Sequence, residues 1–145
     1  MVKIASLQKD IFLDTAPLIY FIEGHSQYKE NLSQIFEAND RGSFTFITSS
    51  ITLLEVLVKP LREGNVKLAD QYKNILTTAS GIEIFEITND LSIKAAELRA
   101  KYNLRTPDAI QVATAILYNV SYFLTNDIRL KSITEINILT LSELE

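Results

Sequence analysis

The chain has 145 residues, 47% of them hydrophobic, which suits one compact domain over residues 1–145 and argues against disorder. It contains no cysteine, so disulfides, thiolate zinc sites and cysteine nucleophiles are excluded together, in keeping with a reducing cytoplasm. The formal net charge of −4 offers no general basic surface for nucleic acid, but gathered carboxylates would depress the net charge of any small protein, and a ligand meets local charge.

From the N-terminus, Met1 to Asp10 lacks a basic start followed by a long apolar run, so no signal peptide is expected. No apolar stretch approaches the length of a membrane span. The expectation is an intracellular, cytoplasmic protein. Short β-branched and aromatic runs follow at Ile11-Phe12-Leu13, Phe44 to Ile47, Ile82 to Ile87, Ser121 to Leu124 and Ile136 to Leu139, and read as strands. Helical patterns lie between them at Pro17 to Glu23, Ser26 to Asp40, Ser49 to Arg62, Val66 to Ala79, Leu91 to Tyr102 and Pro107 to Tyr118. Strands separated by helices predict right-handed crossovers and a three-layer α/β/α fold around a mainly parallel five-stranded sheet. In such sheets ligands bind beyond the carboxyl ends of the strands.

Asp14 directly follows the first strand and precedes Thr15-Ala16-Pro17, a helix start. Taken alone it is explained best as an N-cap. Glu55 lies in Ile51-Thr52-Leu53-Leu54-Glu55-Val56-Leu57-Val58, where positions 51, 55 and 58 share a helical face, so it interrupts an apolar stripe. A buried carboxylate there needs a metal or an ion pair, with Arg99 or Arg105 as candidate partners, unless its flank reaches solvent. In Arg105-Thr106-Pro107-Asp108, Thr106 is the expected cap and Asp108 the second helical residue, where an acid suits the helix dipole. Asp108 also aligns with Val112 and Ile116 toward the buried face. Asp127, after the fourth strand, suits a turn or the cap of a short helix through Leu130.

Each acid alone has an ordinary structural explanation. Together they stand where a parallel sheet gathers its ends. Four carboxylates so close need positive charge to stay ionised, and the sequence offers few nearby arginines. An all-oxygen set favours Mg²⁺ or Mn²⁺ over zinc. The reaction class that follows is phosphodiester hydrolysis by metal-activated water.

The segments Phe12 to Phe21, Ser49 to Val56, Arg105 to Ala115 and Phe123 to Asp127 resemble, in order, the successive motifs of the PIN-domain nucleases, most closely the small VapC toxin type. The resemblance spans nearly the whole chain. It implies a metal-dependent endonuclease acting on RNA, with Asp14, Glu55, Asp108 and Asp127 in the acidic positions. Asp14 and Asp108 would be the direct ligands, Glu55 and Asp127 would act directly or through water, and Thr125 would support the pocket. It also implies a homodimer and a small antitoxin as partner. Gln111 stands where many relatives carry His, a change expected to alter the pocket wall.

Around these acids, Arg105 and Arg129 are candidates for holding RNA phosphates. Lys131 reads as surface solvation, as do Lys59, Arg62 and Lys67, which also suit a basic rim. His25 reads as a loop residue beside Gly24, and Tyr20 and Phe21 as core or dimer contacts. A phosphatase forming an aspartyl-phosphate would carry a second Asp where Ala16 stands, and a receiver domain would place a lysine after a late strand. A silent binding module, an RNA-processing enzyme without antitoxin, and a DNA nuclease remain as alternatives, since no motif reads a 2′-hydroxyl.

Overall fold

The structure, a computed structural model, describes residues 1–145. In chain order it runs β1 (Lys9–Leu13), α1 (Thr15–Glu23), α2 (Lys29–Asp40), β2 (Phe44–Ser49), α3 (Ser50–Arg62), α4 (Val66–Thr78), β3 (Ile82–Phe85), α5 (Asn89–Tyr102), α6 (Thr106–Leu117), β4 (Tyr122–Thr125) and β5 (Ile138–Thr140). The five strands form one sheet in the order β3-β2-β1-β4-β5. All its pairings are parallel, more uniformly than the mixed sheet allowed for from sequence.

The period-two alternation of the strands makes the three layers. In β1, Ile11 and Leu13 point into a core shared with Leu18, Leu32, Ile35, Val56 and Tyr72, so α1 to α4 cover that face. Phe12 points the other way, against Leu91, Leu98, Val112 and Phe123, so α5 and α6 cover the second face. Both cores meet in β1, which is fully buried from Ile11 to Leu13. Strands buried on both faces are apolar throughout, as the sequence runs require.

The predicted boundaries shift at several ends. Residues 26–28 form a turn before α2, with the Tyr28 amide bonded to the His25 carbonyl at 3.1 Å. The last strand begins at Ile138 rather than Ile136 and runs on to Thr140, and β4 includes Thr125. β3 ends at Phe85, so Glu86 and Ile87 lie outside the sheet. α6 begins at Thr106 with Arg105 at the N-cap. Thr106 is therefore not the cap, and its hydroxyl instead accepts from Arg99 at 3.0 Å.

The register of β1 against β4 is set partly by two stacked rings, Phe12 and Phe123, with centroids 4.8 Å apart and both wholly buried. Phe123→Ala should lower the unfolding free energy by about 3–5 kcal/mol. Urea denaturation measures this, with an unchanged slope showing that the denatured state is unaffected.

Candidate active site

The strand order reverses between β1 and β4: the chain proceeds outward from β1 through β2 to β3, then returns to lay β4 on the other side of β1. Connections leave the two strands in opposite directions, and a crevice opens beyond their carboxyl ends. That crevice is a cleft of about 360 Å³ lined by Asp14, Glu55, Arg105, Asp108, Thr125 and Asp127, among others. A larger hollow of about 550 Å³ lies at the amino ends of the strands, near Lys3, Gln34 and Arg41. Size does not distinguish the site; the concentration of acids at the switch point does.

Asp14 sits deepest. Its carboxylate caps α1, accepting from the Thr15 amide at 2.9 Å, so the cap reading holds. The second oxygen accepts from the Thr125 hydroxyl at 2.7 Å. Cap and cleft residue are thus one group using different oxygens and lone pairs. Burial pushes its pKa from 3.8 up to about 6; the Thr125 and Thr15 hydrogen bonds pull it down in part, and the charges of Asp108 and Glu55 raise it further. No lysine or arginine pairs with it.

Glu55 does not lie in the apolar face. Thr52, Val56 and Pro60 form the buried stripe of α3, one residue round from the expected face, and Glu55 is exposed on its flank. It still faces the cleft, where it accepts from the Thr15 hydroxyl at 2.8 Å. Neither Arg99 nor Arg105 pairs with it: Arg99 binds the Leu104 carbonyl and Thr106.

Asp108 and Asp127 carry counter-ions, contrary to the expected shortage of arginine. Asp108, at the first turn of α6, receives the Arg105 guanidinium at 3.1 and 3.5 Å. Asp127 caps the 3₁₀ turn Ile128–Ser132 through the Arg129 amide and takes the Arg129 guanidinium on both oxygens at 3.0 and 2.7 Å. The Arg129 hydrogen bonds hold Asp127 below the ordinary carboxylate range. Both arginines are more than two-thirds exposed, so each pair is weak, worth about 0–1 kcal/mol. All four acids thus line one cleft, but no three of them converge closely enough to hold one ion in this arrangement.

A family model for the PIN domain matches residues 11–136. The chain belongs to the PIN domain family. Among solved structures it is similar to a chain of VapBC2 from Rickettsia felis bound to a promoter DNA fragment, at 20% identity and TM-score 0.70, covering 92% of this chain and 98% of that one. It is also similar to a chain of a toxin–antitoxin complex from Klebsiella pneumoniae, at 25% identity and TM-score 0.66, covering 91% and 97%. A third likeness is to DNA-bound VapBC from Salmonella typhimurium, at 19% identity and TM-score 0.67, covering 93% and 99%. No curated protein matches the sequence.

In this PIN domain Gln111 does not form the pocket wall. It is buried beneath the cleft, accepting from the Ser49 hydroxyl at 2.5 Å and donating to the Thr52 hydroxyl at 2.7 Å. Thr15 and Thr52 are polar residues around the site whose parts in it sequence reasoning did not assign. The available signal was Thr52, four residues before Val56 and therefore on the same helical face.

The remaining candidates settle as follows. Lys131 is a strut rather than a solvated side chain, donating to the Ile138 carbonyl at 2.9 Å and pairing with Glu143 at 2.5 Å. His25 is a loop residue stacked between Tyr20 and Tyr28. Phe21 stacks on Phe36, and the Tyr20 hydroxyl accepts from Asn126 at the cleft, at 3.1 Å. Lys59, Arg62 and Lys67 are exposed and stand outside the residues lining the cleft.

The raised pKa of Asp14 has a measurable consequence for this PIN domain. Between about pH 4 and 6 the folded chain keeps a proton on Asp14 that the unfolded chain has lost. Its contribution to stability therefore falls as pH rises through that window. In metal-free buffer Asp14→Asn should be more stable than the parent at pH 7, by about 1–3 kcal/mol, with the gain vanishing below pH 4. Denaturation curves at pH 3.5, 5 and 7 report it. A constant difference across the series would mean that the charge is not the cause.

Proposed function

We propose that the cleft is the active site of a metal-dependent endoribonuclease, and that the protein is the toxin of a toxin–antitoxin pair. The observation that carries this reading is Asp14: a half-buried carboxylate at the switch point, facing Glu55 and Asp108, with no basic partner of its own. Such a charge is costly unless a cation shares the site.

The donor chemistry suits a hard divalent cation, although the acids would have to draw closer together to share one. The donors are carboxylate oxygens, which suit Mg²⁺ or Mn²⁺, and Asp14 and Glu55 each keep lone pairs free beyond their single hydroxyl or amide contacts. Asp14 and Asp108 would hold the ion, with Glu55 and Asp127 completing the site directly or through water. When bound, the ion supplies activation of the attacking water and neutralises charge developing on the phosphoryl group.

The chain's own groups divide the remaining work. Thr125 anchors Asp14 and, through its oxygen, accepts from the Asp127 amide at 3.1 Å, tying two acids to the end of one strand. Arg105 lines the cleft and Arg129 is held beside it through Asp127, both on exposed stems. Their weak pairs with Asp108 and Asp127 can be exchanged for RNA phosphates once those acids turn toward a cation.

The toxin assignment draws on the likeness to the toxin–antitoxin complex from Klebsiella pneumoniae, at 25% identity. The partners are a small antitoxin and a second copy of the chain. Leu54, Val58 and Leu61 form an exposed apolar strip along α3 that offers area for such contacts. No helix is long and apolar enough to cross a membrane.

Purified protein incubated with structured and single-stranded RNA should cleave with Mg²⁺ or Mn²⁺ and stop with EDTA. Asp14→Asn and Asp108→Asn, both folded, should lose activity by roughly 10²-fold or more. Equal cleavage by parent and variants would mark a contaminant and end the catalytic reading. Cleavage of DNA alone would replace RNA as substrate.

The arginines make a separate prediction. Arg105→Ala and Arg129→Ala should each weaken RNA binding and reduce the slope of log affinity against log salt by about 0.7. An unchanged slope would remove that arginine from phosphate contact.

A further inference from the structure

Below the cleft a chain of polar side chains links α6, β2, α3 and α1. The Ser49 hydroxyl caps α3, accepting from the Ile51 amide at 3.2 Å, and donates to Gln111 Oε1 at 2.5 Å. Gln111 Nε2 donates to Thr52 Oγ1 at 2.7 Å. Thr52 Oγ1 lies 3.3 Å from Thr15 Oγ1, and Thr15 donates to Glu55 Oε1 at 2.8 Å. Ser49, Thr52 and Gln111 are buried, so their polar atoms need these partners.

Counting protons fixes the direction of the chain. A hydroxyl carries one proton. Glu55, when ionised, only accepts, so the Thr15 proton is committed to it. The Thr15–Thr52 contact must then use the Thr52 proton. Thr52 oxygen is left to accept, from Gln111 and from Thr48, whose one proton is shared between Thr52 at 2.8 Å and the Leu13 carbonyl at 2.9 Å. Turning the Gln111 amide over would present an oxygen to Thr52, draw its proton away and leave Thr15 and Thr52 without one between them. Along Gln111, Thr52, Thr15 and Glu55, each hydrogen bond therefore points toward Glu55.

We infer that Gln111 is a positioning residue for Glu55: its carboxamide sets the direction of a hydrogen-bond chain through Thr52 and Thr15 that holds an exposed carboxylate in one orientation over the cleft. A carboxamide suits this task because it accepts on one side and donates on the other. Successive bonds of the same sense also polarise one another, which strengthens the last of them. Without the chain, an exposed glutamate on a helix flank would sample several rotamers.

The consequence for metal binding rests on the nuclease reading, but the orientation of Glu55 does not, so the two are tested separately. In the full-length, metal-free protein, three-bond couplings about the Glu55 Cα–Cβ bond should show a single rotamer. Thr52→Val and Gln111→Met should average it, and Thr52→Ser, which restores the hydroxyl, should keep it. Mn²⁺ affinity, followed by EPR of the free ion, should fall about 10-fold in the first two variants and stay near the parent value in the third. If a buried variant does not fold, Thr15→Val and Thr15→Ser repeat the comparison at the partly exposed end. An averaged Glu55 in the parent, or a fixed one in Thr52→Val, overturns the inference. If Glu55 responds as expected while the parent binds no Mn²⁺ and cleaves no RNA, the positioning stands and the nuclease reading falls.

Discussion

A carboxylate at the end of the central strand organises this protein. Asp14 must follow Leu13 because β1 is buried on both faces up to that residue, and the chain can leave the sheet only into the crevice at the switch point. There it meets two donors, the Thr15 amide and the Thr125 hydroxyl, and no base. Two hydrogen bonds recover part of the solvation lost on burial, and the balance is left as a raised proton affinity. The fold keeps an unbalanced charge at the place where a parallel sheet presents a ligand site.

The other acids relate to Asp14 in two ways. Glu55 and Asp108 raise its proton affinity through their charges, whereas Asp127 is linked to it through Thr125. Asp108 and Asp127 are balanced by arginines three and two residues away, on flexible exposed stems. Glu55 has no such partner and is tied instead to the Thr15 hydroxyl of α1, which in turn touches Thr52 of α3. The site therefore has a fixed half, built from β1, β4 and the buried amide, and an adjustable half at the mouth. The proposed nuclease activity would use both: a rigid acidic floor, and cations that can exchange a carboxylate for a phosphate.

The layers and the strand order of events along the chain were legible because period-two apolar runs alternate with helical patterns of sufficient length. The acids were legible as a set because three of them follow a strand or open a helix and Glu55 interrupts an apolar pattern within one. Glu55 lines the cleft, but not from the apolar face the sequence suggested. The apolar stripe of α3 includes a threonine and a proline, Thr52 and Pro60, which a hydrophobic pattern does not count as core. Thr52 is buried because Gln111 and Thr48 satisfy its hydroxyl, and those partners come from a distant helix and from the preceding strand. Thr106 looked like a cap because it precedes Pro107, but the helix starts one residue earlier and Arg99 claims its hydroxyl.

By itself the sequence determined the α/β architecture, the positions of the acids and the scarcity of competing chemistries, because periodicity, cysteine count and strand-end placement are local properties. Only the tertiary structure decided which polar groups satisfy one another. It put Gln111 under the cleft rather than in its wall, Arg105 and Arg129 on the acids themselves, and Lys131 against Glu143. The reason is physical: a hydrogen bond or ion pair depends on distance and direction between side chains that can lie more than fifty residues apart, and on the burial that makes an unpaired group costly. Neither is fixed until the sheet has closed around β1.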